Sequence, residues 1–335
     1  MRSMKCHRFF RNVKGLSVIR SSALAALAIL PITLCQPSFA QFSYAPIKVP
    51  GAVQTQARGI NNNGEIVGFY KTSAACVDNN VEVPNCDTKG FKYVNGTYIK
   101  LMVPNSVSTA IMGVNDLGDL VGFYTNSDKS RHGFIWYHQN IVKTIDDANP
   151  SGLFTVPFGI NKAGTVVGGL WSTGQSGTFS EGGWVWVNGK FSTMEPSTPG
   201  ASGPCCWSVD GISNNGILSG HMFQADRIEA WLKEGTDEDF YMDVPKGLSG
   251  SDTYGTALNS ATDVIGYDSM RGWFAKHIEL NERPDDSNEV QPSFITIQYP
   301  GCGISIPFGI NDSRGIVGTC SDSTGTHGFL AKPNF

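Results

Sequence analysis

The chain has 335 residues, with 25 Lys and Arg against 29 Asp and Glu. Six of the bases and none of the acids fall in the first 40 residues, so residues 41–335 keep 19 bases against 29 acids, a formal charge of −10. An acidic surface of that size argues against a nucleic-acid backbone or an anionic membrane as partner. Residues 1–40 read as a secretory signal peptide: a basic stretch from Arg2 to Arg20, an apolar run from Ala23 to Leu34, then Ser38-Phe39-Ala40 at the cleavage point. The run is short for a bilayer and Pro31 interrupts it. The expectation is cleavage near Ala40, a secreted, extracellular or periplasmic protein, and a single domain over 41–335 with no membrane span.

One phrase then recurs. It reads Gly59-Ile60-Asn61-Asn62-Asn63-Gly64-Glu65-Ile66-Val67-Gly68 at first, and returns at 113–122, 159–168, 211–220, 257–266 and 309–318. Near-equal spacing of about 50 residues along the whole of 41–335 marks a repeat architecture. Within each phrase, apolar residues flank an Asn-x-x-Gly turn, which predicts a β-hairpin. A third strand follows, centred on an aromatic residue: Phe91, Phe134, Trp184, Trp231, Trp273 or Phe329. A fourth appears in segments such as Tyr98–Val103 and Phe294–Tyr299. Four short strands per unit with no helical period predict an all-β fold, a six-bladed β-propeller of four-stranded blades. The stretch Tyr44–Pro50 looks like a fourth strand without the preceding three, and Gly328–Lys332 like a third strand without a successor. The N-terminal strand is therefore expected to complete the last blade and close the ring.

These phrases resemble the HAF family of bacterial extracellular repeats, whose motif joins Gly-Ile-Asn-x-x-Gly-x-Val-Val-Gly to a later His-Ala-Phe. His132-Gly133-Phe134 and His327-Gly328-Phe329 stand in the His-Ala-Phe place. Ser213 replaces the Asn, and Thr262 and Arg314 replace the turn glycine. The resemblance implies export and a propeller-like fold, and no particular chemistry.

Beyond residue 40 lie Cys76, Cys86, Cys205, Cys206, Cys302 and Cys320. An even number in an exported chain predicts disulfides. Cys76 with Cys86 and Cys302 with Cys320 are the expected pairs. The adjacent Cys205 and Cys206 either join each other or stay reduced. Spacings such as Cys-x9-Cys match no common zinc motif, so no metal or cofactor is expected.

If the strand ending in Gly-Ile-Asn is innermost, the Asn-x-x-Gly turns fall on one face of the ring. The long loops 70–89, 171–182 and 196–207 then fall on the other. Variable loops on a rigid scaffold are where binding usually resides. Tyr70, Tyr124, Trp171 and Trp207 are the candidate rings there, with His221 and Asp268 beside them. The ligand expected is a carbohydrate or a protein. Arg58 and Asp210 each precede a Gly-Ile phrase and are placed facing the channel, where with His221 they would supply acid–base chemistry. No nucleophile elbow or phosphate loop accompanies them. A binding module is therefore favoured over an extracellular hydrolase or lyase, and over a purely structural matrix protein.

Overall fold

The computed structural model describes residues 41–73, 88–146, 153–174, 177–194, 207–224, 227–235, 240–242, 252–268, 271–278 and 293–335. The signal-peptide reading of 1–40 and the expectations for Cys76, Cys86, Cys205 and Cys206 lie outside them. Among the described residues the regular elements are all β-strands.

β1 (Phe42–Ile47) stands before the first full repeat. The first set of four antiparallel strands is β2 (Gln54–Ile60), β3 (Ile66–Lys71), β4 (Thr88–Val94) and β5 (Thr97–Leu101). The second is β6 (Ser108–Val114), β7 (Leu120–Thr125), β8 (Arg131–Tyr137) and β9 (Ile141–Thr144). The third is β10 (Phe154–Ile160), β11 (Val166–Gly174), β12 (Gly177–Val187) and β13 (Lys190–Met194). The fourth is β14 (Trp207–Ile212), β15 (Leu218–Gln224), β16 (Arg227–Lys233) and β17 (Phe240–Met242). The fifth is β18 (Thr253–Leu258), β19 (Val264–Asp268), β20 (Gly272–Ala275) and β21 (Phe294–Ile297). The last comprises β22 (Ile304–Ile310), β23 (Ile316–Asp322) and β24 (Gly325–Pro333), with β1 antiparallel on the far side of β24. In that pairing Pro46 faces Phe329 and Ile47 faces Gly328. One parallel bridge, Gln54 to Thr326, links this set to the first. The expected loop over 171–182 is instead largely strand, because β11 and β12 extend their pairing to Gly174 and Gly177.

A recurring cross-strand pair makes each interior. The glycine that closes the repeated phrase lies opposite the third-strand aromatic: Gly68 with Phe91, Gly122 with Phe134, Gly168 with Trp184, Gly220 with Trp231, Gly266 with Trp273, and Gly318 with Phe329. All six rings are buried. Each covers the backbone that its glycine leaves bare, and burying such a ring stabilises the fold by roughly 2–3 kcal/mol.

First strands neighbour one another in succession: β2 with β6, β6 with β10, β10 with β14, β14 with β18, β18 with β22, and β22 with β2. The repeated Asn bonds across these junctions. Asn61 Oδ1 accepts from the amides of Asn63 (3.1 Å) and Glu65 (3.0 Å), which shapes its own turn. Its Nδ2 donates to the carbonyl of Asn115 at 2.9 Å, one repeat away. Asn115 donates to Asn161 (3.2 Å), Asn161 to Ser213 (3.4 Å), Asn259 to Asn311 (3.2 Å), and Asn311 to Asn61 (3.0 Å). Ser213 has no amide to donate. There, Asn215 Nδ2 bridges the same two sheets through the Ser260 carbonyl at 2.8 Å.

The two departures at the turn glycine keep the same backbone. Thr262 and Arg314 have φ of +55° and +61°, beside +78° at Gly64. A non-glycine residue pays for that conformation in strain. At Arg314 the side chain offsets it, with Nε 2.7 Å from Oδ2 of the fully buried Asp263.

Candidate binding site

Every first strand slips register at one place, by one residue. The shifts fall between Ala57 and Gly59, Ile111 and Gly113, Pro157 and Gly159, Val209 and Gly211, Gly255 and Ala257, and Pro307 and Gly309. The residue left over in each bulge is Arg58, Met112, Phe158, Asp210, Thr256 or Phe308. A bulge re-aims the extra side chain out of the pleat. All six line a single cavity of about 130 Å³, which Trp171, His221, Tyr254 and Tyr267 complete. The residue after each bulge must be small, because the first strands meet there. A Cβ on Gly113 would sit 2.7 Å from the Phe158 carbonyl oxygen, and one on Gly211 would sit 2.8 Å from Cα of Ala257.

The cavity lining is of two kinds. Met112, Phe158 and Trp171 belong to an apolar cluster with Phe69, Phe123 and Val156. Phe158 meets the edge of Trp171 with centroids 6.0 Å apart, and Trp171 Nε1 is buried with no hydrogen-bond partner. The polar lining groups form a second set. His221 Nδ1 lies 2.6 Å from Asp210 Oδ2, and Ser208 Oγ donates to Asp210 Oδ1 at 2.8 Å. The imidazole meets the edge of Tyr254 at 5.0 Å, and Tyr254 stacks on Tyr267 at 4.6 Å. Burial pushes the Tyr267 phenol above its ordinary range. Tyr254 and Asp210 add to that, Arg58 opposes it, and the phenol stays protonated. Arg58 spreads its guanidinium over the Phe308 ring at 3.8 Å and donates to Gln56 Oε1 at 2.7 Å.

Of the residues singled out from sequence, Trp171, His221, Arg58 and Asp210 meet in this cavity. The others do not. Tyr70 is 1 % exposed, inside a cluster with Ile47, Val49 and Phe91. β3 is buried along its whole length, so Tyr70 presents no ring to solvent. Asp268 is buried as well, and its Oδ1 accepts the Arg271 amide at 2.9 Å to close a turn. Tyr124 is half-buried, bonds Thr144 Oγ1 at 2.9 Å and lies beside His132. Trp207 packs against Val209, Met222 and Trp231. Cys302 and Cys320 are joined in a disulfide, Cα to Cα 5.8 Å.

Six lining residues were missed: Met112, Phe158, Tyr254, Thr256, Tyr267 and Phe308. A signal was present. The position before the Gly-Ile-Asn phrase holds Arg, Met, Phe, Asp, Thr and Phe in turn, although the phrase after it barely changes between repeats. A varied position inside an otherwise uniform repeat is one the scaffold does not dictate.

No protein-family model and no curated protein sequence matches the chain. Among solved structures it is similar to a gluconolactonase from Xanthomonas campestris, at 8 % identity and TM-score 0.46, over 84 % of this chain and 88 % of that one. It is also similar to the Aleuria aurantia lectin, described as a six-bladed β-propeller with a novel fucose recognition mode. The identity is 10 % and the TM-score 0.43, over 88 % of this chain and 95 % of the lectin. The β-propeller domain of the Trilobed protease from Pyrococcus furiosus matches at 8 % identity and TM-score 0.42, over 84 % of this chain and 93 % of that one.

Proposed function

We propose that residues 41–335 form a closed six-bladed β-propeller, exported from the cell, that binds a carbohydrate in the cavity between its first strands. Closure is supported by the pairing of β1 with β24 and by the Asn311-to-Asn61 bond across the junction of last and first repeats. Export is supported by the Cys302–Cys320 disulfide, since such bonds persist in oxidising compartments. The binding reading rests on one observation: six bulges deliver six side chains of five kinds to one cavity. A cavity near 150 Å³ holds a benzene-sized ring. The apolar wall of Phe158 and Trp171 suits the face of a sugar ring, and Asp210, His221, Thr256 and Arg58 suit its hydroxyls.

The test is a glycan array followed by calorimetry on the best ligand. Trp171→Ala and Asp210→Asn should each weaken binding about 10- to 100-fold, which corresponds to roughly 1.4–2.8 kcal/mol. Binding that survives both substitutions would place the ligand elsewhere, on the loop face or on a protein partner.

A second reading has its own observation. An Asp that holds His Nδ1–H at 2.6 Å fixes the tautomer and leaves Nε2 as a base. With Asp210 as the orienting group, His221 would take a proton from a bound hydroxyl or an acidic C–H, as a hydrolase or lyase requires. Product release from a bound glycan, lost in His221→Ala while binding persists, would establish this reading. Binding without turnover rejects it.

A further inference from the structure

The disulfide lies within a second cluster that shares no residue with the cavity lining. β23 and β24 are in register with Cys320 opposite His327. Alternation along β23 puts Asp322 on the same side as Cys320. Cys302 arrives from the turn before β22, which its amide closes on the Tyr299 carbonyl at 3.2 Å and Gln298 Nε2 secures at the Cys302 carbonyl, 2.8 Å away. The donor atoms of Cys302, Cys320, Asp322 and His327 all lie within 4.8 Å of one another. His327 Nε2 is 3.4 Å from Cys320 Sγ and 3.8 Å from Asp322 Oδ2.

We propose that these four residues form a zinc site whenever the disulfide is reduced, so that disulfide and metal are alternative states of one cluster. Zinc is held by thiolate at about 2.3 Å and by imidazole or carboxylate at about 2.0–2.2 Å, in a tetrahedron whose edges then measure roughly 3.3–3.8 Å. The His327–Cys320 and His327–Asp322 separations already have those lengths. Two thiolates, an imidazole and a carboxylate are a donor set suited to this ion. Asp322 is positioned for the role. Its Oδ1 accepts both the hydroxyl and the amide of Thr324 at 2.6 Å, which leaves Oδ2 toward His327. The cluster does not follow from the repeat itself. His132 occupies the position equivalent to His327, but it lies opposite Tyr124 and its Nδ1 is 2.6 Å from Asp146 Oδ2.

The chemistry balances with a phosphine as reductant. The disulfide, the phosphine and one water give two thiols and a phosphine oxide. Binding of Zn²⁺ then releases one proton from each thiol. Of the imidazole, only the Nε2 lone pair is used.

The experiment is titration of the phosphine-reduced full chain with Co²⁺, whose visible spectrum reports tetrahedral thiolate ligation, followed by displacement with Zn²⁺. The expected result is the tetrahedral spectrum in reduced wild type and none in the oxidised protein. The Cys302→Ser/Cys320→Ser variant should lose it. His327→Ala and Asp322→Asn should each weaken the metal at least about tenfold. Both retain the disulfide when oxidised, so circular dichroism of their oxidised forms shows that folding is intact. No spectrum in the reduced wild type overturns the proposal. So does an unchanged spectrum in the double Ser variant, which assigns the metal to other cysteines, or unchanged affinity in His327→Ala.

Discussion

The bonded series of Asn side chains predicts a graded response at Asn311, where the last repeat meets the first. Asn311 Nδ2 donates to the Asn61 carbonyl at 3.0 Å, and Oδ1 accepts the Gly315 amide at 2.8 Å and the Ser313 hydroxyl at 2.9 Å. The Asn61 carbonyl also takes the Gly64 amide at 3.1 Å, so losing Asn311 leaves it half-satisfied and costs about 1 kcal/mol. The Gly315 amide is buried and would lose an acceptor, for about 1–3 kcal/mol more. Asn311→Ala should therefore cost about 3 kcal/mol. Asn311→Ser should cost about 1 kcal/mol, because Ser213 shows within the same molecule that a hydroxyl retains the turn bond, at 3.1 Å from the Ile217 amide. Asn161→Ser should cost less still, since its bond across the junction is 3.4 Å long. Asn311→Asp keeps the acceptor but aims a carboxylate at a carbonyl. Its folded pKa is then raised, so its stability is retained at low pH and lost as pH rises through that folded value. Urea unfolding midpoints measure all four. If Ser is as costly as Ala at 311, or if Asn161→Ser exceeds Asn311→Ser, the inter-sheet bond does not carry the energy assigned to it.

Gly168→Ala should destabilise by at least about 3 kcal/mol, the upper range for overpacking, because its Cβ would meet the Val156 carbonyl and lie 2.5 Å from Trp184 Cζ2; thermal unfolding by calorimetry reads it. Asp119 sets part of the acid limb of stability. Burial alone would raise its pKa, but the His138 amide and ring and the Asn115 amide outweigh that and hold it below the usual carboxylate range. A depressed folded pKa contributes stability above the unfolded value that is lost as pH falls through the folded one. Asp119→Asn should therefore flatten the decline in urea midpoint below about pH 4, and an unchanged slope would exclude this linkage. Reducing the Cys302–Cys320 bond, 18 residues apart, should cost about 3 kcal/mol in metal-free buffer, seen as a midpoint shift that Cys302→Ser reproduces.

Much of the scaffold could be read because it repeats. Asn61, Gly64 and Gly68 act within ten residues of one another, and turn chemistry and strand alternation are local rules that six copies reinforce. The inter-sheet half of the same asparagine's work was not readable, since its acceptor lies 46–54 residues away in the next repeat. Tyr70 and Trp171 show the limit at single residues. Both are large rings in second strands, but Tyr70 stands two residues after Gly68 and is buried in the cluster around Phe91. Trp171 stands three residues after Gly168, so alternation sends it to the opposite face, and only the packing of neighbouring sheets makes that face the cavity side.

From sequence alone came the strand repeat, the turn residues and the candidacy of Arg58, Asp210, His221 and Trp171, because each follows from spacing along the chain. Tertiary structure alone decided that six bulges converge, that Asp210 reaches His221, and that Cys302, Cys320, Asp322 and His327 share one corner. A bulge is a choice of pairing between strands, and a cluster is a meeting of segments distant in sequence. Neither is dictated by the local chain, because the energy that selects it is that of the packed neighbours.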